Sequence, residues 1–163
     1  AGERLKDTYH GKGDGINPNG WFNTSKNRKV INFVIDSDYK DPEVLQDSIL
    51  ANAFSQLNEW GVFKLTDVIN IVITKIDLEN INDIHAFAKQ KVQSDFSGLY
   101  NSLKREQFSK GIFGKKKENF ALNIIPISIG HDFVLEGGYM KEPDNRLIKD
   151  FVDSLFSYTH YWS

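Results

Sequence analysis

Val68-Ile69-Asn70-Ile71-Val72-Ile73-Thr74-Lys75-Ile76-Asp77 decides how this chain is read. Six mostly β-branched, apolar residues run without alternation and then stop at a polar Thr-Lys-x-Asp. An unbroken run of this kind is the signature of a strand covered on both faces. The polar residues that follow fall where such a strand ends and the chain turns toward a helix.

Upstream, Val30-Ile31-Asn32-Phe33-Val34-Ile35 makes a second apolar, β-branched run. It stops at Asp36-Ser37-Asp38 and also reads as a strand covered on both faces. Between the two runs, Leu45, Ile49, Ala53, Leu57 and Trp60 fall at helical spacing, with Pro42 suited to a first turn and Gly61 to a helix end. Downstream, Ile84, Ala88, Val92, Phe96, Leu99 and Leu103 predict one long helix, broken by the segment 108–119. Phe120-Ala121-Leu122-Asn123-Ile124-Ile125-Pro126-Ile127 reads as a third strand. A final helix carries Leu147, Phe151 and Leu155 on one line and Ile148, Val152 and Phe156 beside it, with Pro143 near its start.

The order is β-α-β-α-β-α. Apolar strands alternating with amphipathic helices pair in parallel through right-handed crossovers. The expected fold is α/β, a three-layer α/β/α arrangement around a small parallel sheet. Residues 30–163 form a single domain in this reading. Residues 1–29, with Gly11, Gly13, Gly15, Gly20 and Pro18 and no apolar period, form a flexible glycine-rich segment.

Composition narrows the function classes. With 163 residues, 40 % of them hydrophobic and 12 Phe, the chain can build a core of its own. A formal net charge of −2 gives no electrostatic reason to expect nucleic acid or an anionic membrane surface. No apolar run is long enough to span a bilayer. The absence of cysteine removes disulfides and thiolate metal sites, which suits a reducing cytoplasm. His10, His85, His131 and His160 show no ligand spacing, so no metal site is expected from the chain's own histidines.

In open parallel sheets, ligands bind beyond the carboxyl ends of the strands. Three polar loops occupy those ends: Asp36-Ser37-Asp38, Thr74-Lys75-Ile76-Asp77, and Ser128-Ile129-Gly130-His131-Asp132. The fold alone lines them along one rim.

Thr74-Lys75-Ile76-Asp77 resembles the guanine-specificity element of P-loop GTPases of the translation-factor and Ras-like class. By that resemblance Asp77 would accept hydrogen bonds from the guanine N1–H and exocyclic amine, the Lys75 stem would lie along the base plane, and Thr74 would brace neighbouring loops. Ile125-Pro126-Ile127-Ser128-Ile129-Gly130 is similar to the last GTPase motif, a strand, then Ser and a small residue whose amide faces guanine O6; here Ile129 replaces the usual Ala. Ala1-Gly2-Glu3 resembles the tail of the Asp-x-Ala-Gly element, which would make Gly2 a γ-phosphate sensor and residues 3–29 a nucleotide-responsive switch that could meet a protein partner. Asn52, Ala53, Leu57, Asn58 and Trp60 resemble the double-GTPase type of bacterial conflict and effector operons. The resemblance implies GTP or GDP and Mg2+ as ligands of an intact protein.

The phosphate-binding half of such a protein is missing. No G-x-x-x-x-G-K-[ST] occurs within these residues. Gly111-Ile112-Phe113-Gly114-Lys115-Lys116 has too short a glycine spacing, follows a helix, lacks the Ser or Thr, and reads as a solvated basic loop. Without a phosphate cradle, positioning and charge stabilisation have no basis. The expectation is the C-terminal part of a GTPase-like protein that, alone, neither hydrolyses GTP nor binds it tightly. Two alternatives stay open. One is a degenerate GTPase fold kept as a protein–protein interaction module. The other is a magnesium-dependent phosphatase using Asp36 as nucleophile and Asp38 as acid/base, with Thr74, Lys75 and Asp132 pressed into supporting roles. The plain structural account of Asp77 is a carboxylate near a helix N-terminus in a solvated loop.

Overall fold

A computed structural model describes residues 29–38, 45–76, 82–110, 116–128 and 145–156. Strands β1 (Lys29–Asp36), β2 (Thr66–Thr74) and β5 (Ala121–Pro126) form one sheet in the order β1-β2-β5, both pairings parallel. Helices α1 (Gln46–Glu59), α2 (Ile84–Asp95), α3 (Ser97–Gln107) and α4 (Asn145–Phe156) lie on both sides of it. The expected small parallel α/β sheet is therefore present. No described helix is long and apolar enough to cross a membrane.

Position in the sheet separates the two N-terminal strands. Central β2 is buried without a break from Val68 to Ile73. β1 instead alternates, with Phe33 and Ile35 buried and Asn32 and Val34 exposed. Val34 is 53 % exposed, so the expectation of two covered faces fails for β1. Its composition is that of a buried strand, but among the described residues β2 is the one strand that pairs with it. Apolar composition alone does not distinguish an edge from a centre.

The core lies on one face of the sheet. Phe33 and Ile35 of β1 and Ile69, Ile71 and Ile73 of β2 meet Phe54 of α1, Ala88 and Val92 of α2, and Leu99 and Leu103 of α3. At one end Phe63 stacks on Phe54 at 4.9 Å between ring centroids and tilts against Phe120 at 6.0 Å. On α1 the inward line is Leu50, Phe54 and Leu57. The predicted line through Leu45 is displaced: Leu45 is the N-cap residue and 71 % exposed. Gly61 does end the α1 region, at φ +70, the left-handed value glycine adopts without strain.

The long helix predicted over Ile84–Leu103 is two helices. Asp83 caps the first, its Oδ1 accepting from Ala86 N at 2.9 Å. The path breaks at Phe96, and the new N-terminus of α3 is capped from a distance. Asp47 of α1 accepts from Gly98 N and Leu99 N, both at 2.9 Å. The apolar period continues through the break because Phe96 itself is buried, so the sequence carries no sign of it.

The segment read as an irregular break contains a small antiparallel hairpin, β3 (Phe108–Lys110) with β4 (Lys116–Glu118). Gln107 Nε2 donates to Glu118 Oε1 at 2.9 Å and fastens it to α3. Residues 111–115, which hold most of the P-loop look-alike, are outside the described residues.

Across the sheet runs an amide ladder. Asn32, Asn70 and Asn123 stand in register. Asn70 donates to Asn32 Oδ1 at 2.9 Å and accepts from Asn123 Nδ2 at 3.0 Å. Asn70 is fully buried, and these bonds give its donor and its acceptor a partner where water is excluded.

Candidate functional site

The site is built at the carboxyl ends of three parallel strands. Asp36 and Thr74 are register partners at the ends of β1 and β2. Ser37 N donates to Thr74 O at 3.3 Å, which carries the ladder one step past the strands. On the other side of β2, Ile127 N donates to Ile73 O at 2.7 Å, and Ser128 follows, buried. The structure thus brings Thr74 and Ser128 to neighbouring strand ends. Both guanine loops of the sequence reading begin there. Asp77, Ile129 and Gly2 lie outside the described residues, as do Asp132 and most of the 1–29 segment.

The turn after β2 has an unusual shape. Lys75 has φ +59, the one positive value found for a non-glycine residue among the described residues. Such a backbone brings Cβ against the carbonyl and persists where its surroundings hold it. Here both flanks are held. Thr74 Oγ1 donates to Ile35 O at 3.1 Å, and Ile76 is completely buried in the core. The left-handed residue lets the chain leave a strand end and drop Ile76 inward at once.

The Lys75 side chain turns toward β1. Its Nζ lies 2.7 Å from Asp36 Oδ2, with the two side chains 52 % and 32 % exposed. Asp36 Oδ1 accepts from Asp38 N at 3.0 Å, so both carboxylate oxygens are engaged. The hydrogen bond to Asp36 pushes the Lys75 ammonium above its ordinary value of 10.5. Desolvation opposes this, and the charges of Asp36 and Asp38 add to it. The lysine thus has a fixed partner on the β1 side of the rim, a feature sequence reasoning missed. A signal for it existed. Aligning the six-residue runs 30–35 and 68–73 end to end puts Asp36 opposite Thr74.

No protein-family model matches the chain, and no curated protein or solved structure matches it.

The chemistry of the rim therefore carries the functional argument. A lysine, two carboxylates, a threonine and a serine at strand ends can recognise a polar planar group by hydrogen bonding. Among the described residues no group of three or more His, Asp or Glu could hold a metal ion. Asp36 and Asp38 are two carboxylates with no third such ligand in that set. His85 sits on α2, its Nε2 3.6 Å from Asp150 Oδ2.

A cleft of about 330 Å3 lies at the opposite end of the sheet. Asn58, Phe63, Lys64, Glu106, Glu118 and Phe120 line it, a mixture of both charges over an aromatic floor. The apolar pattern gave no sign of it, because its wall includes the hairpin strand β4, which the pattern did not predict.

Proposed function

We propose that this domain is the base-reading part of a guanine-nucleotide-binding α/β protein, with Thr74, Lys75 and Asp77 on one loop and Ser128 with Ile129 on the next. The observation that supports it best is the placement of Thr74 and Ser128 at the carboxyl ends of adjacent parallel strands. Thr74 and Ser128, 54 positions apart by number, stand on one rim, where a single ligand could meet both matched loops. In this reading Asp77 accepts from guanine N1–H and the exocyclic amine, and the Ile129 amide faces O6. Gly2 senses the γ-phosphate in an intact protein, residues 3–29 respond to it and meet a protein partner, and the domain works in the cytoplasm.

No residue of the chain is assigned to magnesium or to phosphate transfer. Mixed with GTP and magnesium, the chain is expected to release phosphate no faster than buffer. Base recognition is tested separately, by ligand-detected NMR with GDP and ADP at millimolar concentration. A preference for GDP that disappears in Asp77→Ala supports the proposal. Equal response to both nucleotides, or a preference that survives Asp77→Ala, refutes it. The phosphatase reading of Asp36 and Asp38 gains one feature from the structure, the ammonium resting on Asp36. It requires phosphomonoester hydrolysis that dies in Asp36→Asn.

A further inference from the structure

We propose that Asp36 is a positioning residue for the Thr74–Ile76 loop, holding Lys75 from the end of β1 so that the base-reading stretch is presented in one shape. Its consequence for ligand choice rests on the guanine reading; its mechanics do not.

Three ties run from the end of β1 to this loop. Ser37 N reaches Thr74 O, Thr74 Oγ1 reaches Ile35 O, and Lys75 Nζ reaches Asp36 Oδ2. The first two fix Thr74, and burial fixes Ile76. Lys75 lies between them in the left-handed region with an exposed side chain, and the direction of that side chain is set by Asp36. The carboxylate is itself oriented, because its other oxygen takes the Asp38 amide.

Strand order gives the arrangement its meaning. β1 and β5 flank β2 on opposite sides, and Ser128 stands at the β5 end. Asp36 therefore draws the ammonium away from the side on which the second guanine loop begins. A lysine stem stretched along the β1 side can lie against a planar base; an ammonium swung toward β5 would compete with the base for the same hydrogen-bonding edge. The tie is exposed and between flexible groups, so it directs the loop without contributing much to global stability. Asp36 at the end of β1 and Asp38 in the turn after it are the charged groups that act on the ammonium from that side.

The test is NMR on the chain carrying Asp36→Ala, Asp36→Asn or Asp36→Glu, with 15N-labelled lysine. Asp36→Ala and Asp36→Asn should lower the Lys75 titration midpoint and move the amide signals of Lys75 and Ile76. Signals of core residues such as Ile71 should stay in place, and Asp36→Glu should restore part of the wild-type pattern. An unchanged Lys75 titration with unmoved loop amides in Asp36→Ala overturns the proposal. GDP and ADP are then added to the same samples. If wild type prefers GDP, Asp36→Ala should reduce that preference by about tenfold; an undiminished preference also overturns the proposal. If wild type shows no preference, the guanine reading alone has failed, and the titration still decides whether Asp36 positions the loop.

Discussion

Two links between polar side chains, starting from β1 residues four positions apart, tie β1 to β2 and the turn after it, and they differ in kind. In the middle of the sheet Asn32 meets Asn70, which meets Asn123. At the end of the same strands Asp36 meets Lys75. The first link includes a residue with no solvent exposure, so its hydrogen bonds cannot be replaced by water. The second joins two side chains that water reaches, so it directs the Lys75 side chain while adding little to global stability. Buried polarity here specifies the fold and its register; exposed polarity on a braced backbone is available for recognition.

The sharpest way to break this comparison is to remove Asn70. Asn70→Ala leaves Asn32 Oδ1 and Asn123 Nδ2 without their shared partner and is expected to cost about 1–3 kcal/mol in urea unfolding. Replacing Asn32, Asn70 and Asn123 together with Val removes the whole ladder and leaves no orphaned group. That triple variant should lose less than Asn70→Ala alone. If the triple variant is the less stable of the two, the ladder contributes more than satisfied burial.

An intermediate case sharpens the same point. Asp47 caps α3 from α1 with two backbone N–H groups, one at exposed Gly98 and one at buried Leu99. Its loss in Asp47→Ala should cost about 1 kcal/mol, the usual worth of an N-cap. Gly98 makes the approach possible: a Cβ there would sit 2.7 Å from Asp47 Oδ2. Alanine favours a helix over glycine by up to about 1 kcal/mol, so two effects of similar size oppose each other. Gly98→Ala should be nearly neutral in wild type and stabilising in Asp47→Ala. Additive values in that double-mutant cycle would show that the carboxylate yields to the new methyl without losing its bonds.

What the sequence disclosed and what it hid follow the same division. Local period and composition were enough for the three parallel strands, the last helix and the rim, because these depend on apolar runs and their ends. The exposed face of β1 was hidden, since it depends on what packs against the strand and not on the strand's own composition. The break at Phe96 was hidden because its cap comes from Asp47, 49 positions earlier by number. The left-handed turn at Lys75 was hidden for a related reason: its braces are the Ile35 carbonyl and the buried Ile76. Of the candidate site, Thr74, Lys75 and Ser128 were legible as strand-end residues. The direction of Lys75 toward Asp36 required the register of β1 on β2.

The smallest expected effect belongs to the exposed link, and its sign distinguishes it from the buried ones. Asp36 raises the folded-state pKa of Lys75 above 10.5. In the unfolded chain the lysine titrates at about 10.4, so above that pH the folded state retains a proton that the unfolded state has released. Stability from this link is then fully present below the unfolded value and falls as pH rises through the folded one. Lys75→Met lacks that proton, so its stability relative to wild type should be constant from pH 7 to 9 and converge toward wild type above about pH 10.5. The ladder, made of amides that do not titrate, predicts no such convergence for Asn70→Ala over the same range. Parallel behaviour of the two variants in alkaline urea titrations would mean that the rim pair does not act on stability separately from the buried ladder.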